Sequence, residues 1–408
     1  MTIQRFDDAP TVPTYVSNVT LFDGLTLKQR AGVLVDEGRV AWVGAHARAP
    51  RSARDADEID GRGRTLTPGL IDCHVHLCFD GGADFAGESR EMTTDAVATV
   101  KAVRNTARTL GYGVTTVRDL GGRGDSVIQV GLGVERGLIA GPRILAAGHA
   151  LTITGGHGHS VGFAREVDGP DGLRRAVREE IRAGATAIKL VATGGVLTPG
   201  ITHDFTAFTQ EELDAAVDEA HSWGRVVGAH AIGPEGIIRA VRAGVDSIEH
   251  GSMLSAEGAR LMKERGAFHV PTISAIRGIV DHADEVPAYA VEKATALVEV
   301  AREGFRRSLR GGVRIACGTD AGTPFNPHGN TLFEIVRMVE WGMTPLQAMR
   351  AATSSAAALL RLDGVGVVAE GAAADLVLFG SNPLEEIEAV LEPALVIKGG
   401  AIVAGSAP

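Results

Sequence analysis

Two imidazoles one residue apart, His74 and His76, interrupt the apolar run GLIDCHVHLCFD between Gly69 and Asp80. Alternate side chains of a strand share a face, so the pair would project together and offer half of a metal site. A pair of hydrogen-bonded structural histidines would look the same, so the rest of the chain has to decide. Polar groups recur near the ends of later apolar runs: Lys189 in AIKLVATGG, His230 in RVVGAHA, His250 in DSIEHG and Asp320 in RIACGTDAG. Singly, each has a structural alternative. His230 and His250 could be satisfied core histidines, Lys189 a snorkelling lysine, and Asp320 a cap or turn residue before Gly322. Together, four histidines, a lysine and an aspartate at the same end of five strands make a metal-ligand set, which structural roles alone do not account for.

The elements that must position them follow from periodicity. From about Thr65 to Asp363, short β-rich runs alternate with helical stretches such as Thr209 to Gly224 and Gly233 to Gly244, the pattern of parallel β/α units. Eight candidate strands are present: GLIDCHVHL, GVTTVRDLG, RILAAGHALT, AIKLVATGG, RVVGAHA, DSIEHG, AFHVPTIS and RIACGTDAG. They predict an α/β fold, a (β/α)8 TIM barrel whose C-terminal strand ends form one rim where distant residues converge. The two chain ends read differently. VSNVTLFDG and AGVLVDEGRVAWVGAHA, with a turn at Glu37-Gly38, match ADLVLFG and ALVIKGGAIVAG, with a turn near Gly399-Gly400. Neither block can bury its own apolar face, so residues 1–64 and 366–408 are expected to pair into a small β-sandwich domain flanking a catalytic barrel at 65–365.

Composition narrows the function. With 40 basic against 50 acidic residues and a net charge of −10, the surface would not attract nucleic acid or an anionic membrane. No apolar run approaches a membrane span, and MTIQRFDDAP lacks the charged and apolar regions of a secretory signal. Three cysteines cannot form a disulfide framework, and a cytoplasmic location is expected. Cys73 and Cys317, which flank the ligand positions, read as small buried hydrophobes.

The order HxH on strand 1, Lys189 on strand 4, His230 and His250 on strands 5 and 6, and Asp320 on strand 8 resembles the binuclear-metal branch of the amidohydrolase superfamily. More narrowly, TGGHGH, IKLVATGG, HAIGPEGIIRAVRAGVDSIEHG and GTDAGTPFNPHG are similar to the imidazolonepropionase-related group. That group contains Xaa-Pro dipeptidases, carboxypeptidases and ochratoxin-type amidohydrolases. The resemblance implies two divalent metal ions, Zn2+ first among those such ligands suit. It implies that His74, His76 and Asp320 hold the more buried ion and His230 and His250 the more exposed one. Lys189, which as an ammonium has only donors, would be N-carboxylated and bridge both. The implied reaction is hydrolysis of the amide bond of dipeptides or N-acyl amino acids by a metal-bridged hydroxide, releasing a C-terminal amino acid, with Asp320 as the catalytic proton carrier.

An alternative is a cyclic-amide hydrolase or aminohydrolase of the imidazolonepropionase type. Lys189 favours the first reading, because those branches usually run on one metal without a bridging lysine. A non-catalytic scaffold is disfavoured by six filled ligand positions. Relatives imply a homo-oligomer. His157 and His159 in TGGHGHS and His328 in NPHG are candidates for substrate contact or for loop structure. Arg165 and Arg277 are conceivable partners for a substrate carboxylate. His149, His203, His221, His269 and His282 lack a convergent pattern and read as structural.

Overall fold

The alternating strands at the two chain ends join. In the computed structural model, which describes residues 12–405, strands from both ends form one eight-stranded sheet. Glu37 and Gly38 both take positive φ, the requirement of a two-residue hairpin, and link the antiparallel strands Leu27–Asp36 and Arg39–Ala45. The C-terminal strands Pro393–Lys398 and Ala401–Gly405 turn in the same way at Gly399 and Gly400. Val16, Val33, Leu66, Leu376 and Leu395, drawn from both ends, share one apolar cluster, so strands from the two chain ends bury a common apolar face of one sheet. MTIQRFDDAP lies outside the described residues.

One boundary differs from the sequence reading. Thr65–Pro68, expected at the start of the barrel, belongs to the terminal sheet, parallel to Thr14–Phe22 and antiparallel to Leu376–Phe379. The chain changes partners at Gly69, whose N–H donates to Asp375 O before Leu70 N–H donates to Gly113 O. A Cβ at Gly69 would stand 2.1 Å from Thr115 Oγ1, so only glycine allows this switch. Two strands separated by a single residue read as one continuous run in the sequence.

The middle of the chain is the TIM barrel. Its strands are β1 (Leu70–Val75), β2 (Val114–Asp119), a divided β3 (Arg143–Ala146 and Ala150–Thr152), β4 (Ala187–Val191), β5 (Val226–Ala231), β6 (Ser247–His250), β7 (Phe268–Val270) and β8 (Arg314–Ile315). β1, β2, β4 and β5 are buried along their whole length, as parallel strands covered by helices are. The first half of β3 pairs with β2 and the second with β4, so the run RILAAGHALT bends at Ala147 to His149. Thr186 N–H donates to Ala146 O across that seam. At the other seam β8 is short, and the chain beyond it completes the ring: Cys73 N–H donates to Cys317 O and Asp320 N–H to His74 O.

The helices end where the sequence says they should. Thr209 and Glu212 form a capping box at the start of Gln210–Ser222, and Gly244 closes Pro234–Ala243 in the left-handed region. Among the described residues no helix is long and apolar enough to cross a membrane.

Candidate metal centre

The C-terminal ends of the barrel strands bring the six predicted residues to one cavity. His74 enters from β1, His76 from the residue just after it, and Asp320 from the segment after β8. Asp320 Oδ1 lies 3.0 Å from His76 Nε2 and 3.3 Å from His74 Nε2, and one ligand atom from each of the three falls within 4.8 Å of the others. Lys189 Nζ is 3.2 Å from His74 Nε2. The His250 ring stands 5.4 Å from that of His74 and 4.5 Å from that of His230.

Alternation along a strand does not by itself aim these groups. On β6 Ser247 and Glu249 turn toward the interior, where both meet Arg118, so His250 should face away. It reaches the cavity because its φ is +68°, in the left-handed region, and Asp320 does the same at +61°. Thr272, which supports His250, is left-handed too, at +49°. A strained backbone of this kind costs roughly 1–3 kcal/mol per residue and persists where surrounding structure imposes it. Asp72 imposes part of it: it accepts from His74 N and Thr319 N through Oδ1, and from the Thr319 and Thr331 hydroxyls through Oδ2.

The hydrogen bonds of each imidazole leave one nitrogen for a cation. His76 Nδ1–H donates to Gly121 O and His230 Nε2–H to Gly194 O; carbonyls only accept, so His76 Nε2 and His230 Nδ1 carry lone pairs. Thr272 gives its single proton to Pro271 O and must accept from His250 Nδ1–H, which frees His250 Nε2. His74 Nδ1 faces Glu249 Oε2 at 3.0 Å, off the line of an ideal hydrogen bond, and again leaves Nε2 toward the site. A carbonyl, hydroxyl or carboxylate behind each ring is how proteins orient metal-binding histidines.

Burial favours the required protonation states. It drives His74, His230 and His250 well below the usual histidine value, so they are neutral, as ligands must be. Burial also brings Lys189 down to about 8, within reach of a neutral amine. For His76 and Asp320 burial is outweighed by their mutual contact, which raises the imidazole and, with His74, lowers the carboxyl. The donor set therefore fits divalent cations.

Sequence reasoning missed the support behind these ligands. Arg118 and Glu249, both 0% exposed, pair at 2.9 Å, and Arg118 Nε also donates to Cys73 O. Asp119 accepts from Leu77 N and Gly121 N, shaping the turns after β1 and β2. The signal was present, since TTVRDL and SIEHG carry charges inside apolar strands just as the ligand runs do.

Of the substrate candidates, only His157 lines the cavity. Its Nδ1 bonds the Thr198 hydroxyl at 2.7 Å, its ring lies 4.7 Å from that of His230, and burial lowers it to about 4. His159 is exposed and bonds Gly156 O, because on an irregular loop a two-residue spacing does not keep side chains on one face. His328 is buried outside the cavity lining, where its ring bonds Phe79 O. Arg165 is taken by Glu179 and Arg277 by Asp281, and neither lines the cavity. His149, His221, His269 and His282 hold partners away from the cavity, Glu180, Asp246, Ser308 and Gly278 O respectively. Most of the remaining lining is apolar, including Phe85, Phe163, Leu197, Ile276 and Leu297.

Known proteins share this arrangement of chain. Ochratoxinase of Aspergillus niger is 33% identical over 437 aligned positions, covering 99% of this chain and 89% of that protein. A solved Xaa-Pro dipeptidase with methionine bound in its active site superimposes with a TM-score of 0.89 at 34% identity, over 96% of this chain and 99% of that one. Imidazolonepropionase of Ralstonia nicotianae is 28% identical, over 88% of each chain. Residues 65–403 match the amidohydrolase family, and with the barrel and its rim of ligands described, the chain belongs to that family of enzymes, hydrolases of amide bonds.

Proposed function

We propose that the protein hydrolyses the amide bond of dipeptides or N-acyl amino acids, releasing a C-terminal amino acid, at a centre of two divalent ions. The observation that carries this is the convergence of His74, His76, Lys189, His230, His250 and Asp320 on one cavity, with one nitrogen of His76, His230 and His250 hydrogen-bonded to the protein and His74 Nδ1 facing Glu249. The chemistry supplied by the bound ions is acidification of a water to a nucleophile at neutral pH and polarisation of the scissile carbonyl.

The chain's own groups do the rest. The neutral amine of Lys189 adds carbon dioxide and releases a proton, which turns a donor-only side chain into a carbamate with two ligating oxygens. Its depressed pKa supplies that amine. Asp320, an ionised carboxylate beside His76, takes the proton of the attacking water at a carboxylate oxygen and passes it to the departing amine. His157, neutral and fixed by Thr198, orients the substrate carbonyl. Phe85, Phe163, Leu197, Ile276 and Leu297 receive an apolar side chain or acyl group and exclude water from the reacting bond.

The test is amino-acid release from a panel of dipeptides and N-acyl amino acids by protein supplied with zinc and bicarbonate, with Lys189→Ala alongside. Release that depends on Lys189 is expected, highest for substrates with bulky apolar groups. No release from any member by metal-loaded protein would overturn the proposal and turn attention to cyclic amides.

A further inference from the structure

The wall of the cavity between Gly194 and Ile201 has no regular secondary structure, yet three of its carbonyls are satisfied by one side chain. Lys293 Nζ donates to Gly195 O at 3.2 Å, Thr198 O at 2.7 Å and Ile201 O at 2.6 Å. Tyr289, one turn earlier on the helix Ala288–Gly311, donates its hydroxyl to Leu197 O at 3.1 Å. Leu297, one turn later on the same stripe, lines the cavity. A single helical face thus grips a loop and completes the cavity beside it.

The gripped loop touches the site in three ways. Val196 and Leu197 are part of the lining. Thr198, buried, holds His157 through its hydroxyl and also accepts from Gly158 N at 3.1 Å. Gly194 O, at the root of the loop, accepts from His230. All three donor positions of the ammonium are spent on carbonyls, so Lys293 is a pin for the loop and has none left for a substrate. Bonds from a charged donor are the stronger kind, and no neutral side chain of similar length supplies three.

We infer that Lys293, assisted by Tyr289, is a positioning residue that holds the 194–201 loop as the specificity wall of the active site and keeps His157 aimed into it. This rests on the cavity being the substrate site proposed above. These four bonds hold the loop in place; without them Leu197 and His157 lose their fixed places while the metal ligands on β1, β4 and β6 keep theirs.

The test compares wild type with Lys293→Met, which keeps the stem and removes the donors, and with the milder Tyr289→Phe. One readout needs no substrate: thermolysin cleavage between Gly194 and Phe205, and hydrogen exchange at the Gly158 amide. Both are expected to speed up by about tenfold or more in Lys293→Met and less in Tyr289→Phe, with exchange in the β1 and β4 strands unchanged. The second readout is kinetic. KM for substrates with bulky apolar groups is expected to rise about tenfold as Leu197 loses its place, and kcat to fall by about threefold or more, since His157, which orients the scissile carbonyl, is displaced with the loop. Unchanged cleavage and exchange in folded Lys293→Met would overturn the inference, as would a fall in kcat with KM unmoved. If wild type released no amino acid at all, the loop readout would still decide whether the pin exists, separately from the proposed reaction. If Lys293→Met failed to fold, unaltered cleavage, exchange and KM in Tyr289→Phe would overturn the shared grip on its own.

Discussion

His74 stands between two carboxylates, Glu249 behind its ring and Asp320 in front, with Arg118 buried behind Glu249 in turn. His230 and His250, a few ångströms away, lean instead on a backbone carbonyl and a threonine hydroxyl. A carboxylate behind an imidazole raises its basicity and ties its position to a charge network, so that half of the site is strong but fails as a unit. The half on β5 and β6 depends on geometry: a loop carbonyl at Gly194 and the left-handed residues His250 and Thr272. If the two ions proposed above are bound, small backbone changes should therefore move the one at His230 and His250 before the one at His74, His76 and Asp320.

The largest effect should come where the charged half meets the chemistry. Asp320→Asn removes both a ligand and the proton carrier, and kcat for amide hydrolysis is expected to drop by roughly a factor of 10² to 10⁴ in a steady-state assay. Glu249→Gln strands Arg118 as a buried unpaired charge; about 3–5 kcal/mol of stability should be lost in urea unfolding, and metal affinity should fall about 10–100-fold. If Glu249→Gln lost less than the neutral-side variants below, the contrast between the halves would be wrong.

On the neutral side the brace itself titrates. Glu334, buried, accepts from Ile273 N, Ser274 N and the Ser274 hydroxyl, holding the turn that follows Thr272. Burial pushes its carboxyl up from 4.5 to about 7, against the hydrogen bonds that favour the charged form. Between those pH values the folded state binds more protons than the unfolded one, so this contribution to stability is full at low pH and is lost as pH rises through about 7. Relative to Glu334→Gln, which does not titrate, wild type should lose up to about 3 kcal/mol between pH 4.5 and 7, read as a shrinking Tm difference. A gap that grew with pH would reverse the sign and the assignment. Smallest of all, Thr272→Ala should weaken the second ion by about tenfold and leave the first in place, measured by metal analysis during chelator titration.

Much of the site was legible because charged or titratable residues in fully buried strands have few structural uses, and His74, His76, Lys189, His230 and Asp320 each break an apolar run. Arg118 and Glu249 break theirs equally, yet they were not identified, since a salt bridge between strands far apart in sequence has no spacing of its own. The aim of His250 and Asp320 was hidden for another reason: it comes from positive φ at non-glycine residues, with Asp72 holding Thr319 beside Asp320 and Thr272 holding the ring of His250. The eight-unit rhythm located the barrel, but Gly69 concealed a change of sheet and Ala147 to His149 a bend within β3. His157 and His159 look equivalent in TGGHGHS; only the fold of that loop, set by Thr198 and Gly156 O, separates them.

If Lys189 joins two ions in one centre, as proposed above, the number of ions held per chain depends on it. Protein loaded with zinc in bicarbonate and passed through a desalting column should retain two equivalents by elemental analysis, and Lys189→Ala should retain no more than one. Two equivalents in both proteins, or one in both, would rule out a two-ion centre that depends on Lys189.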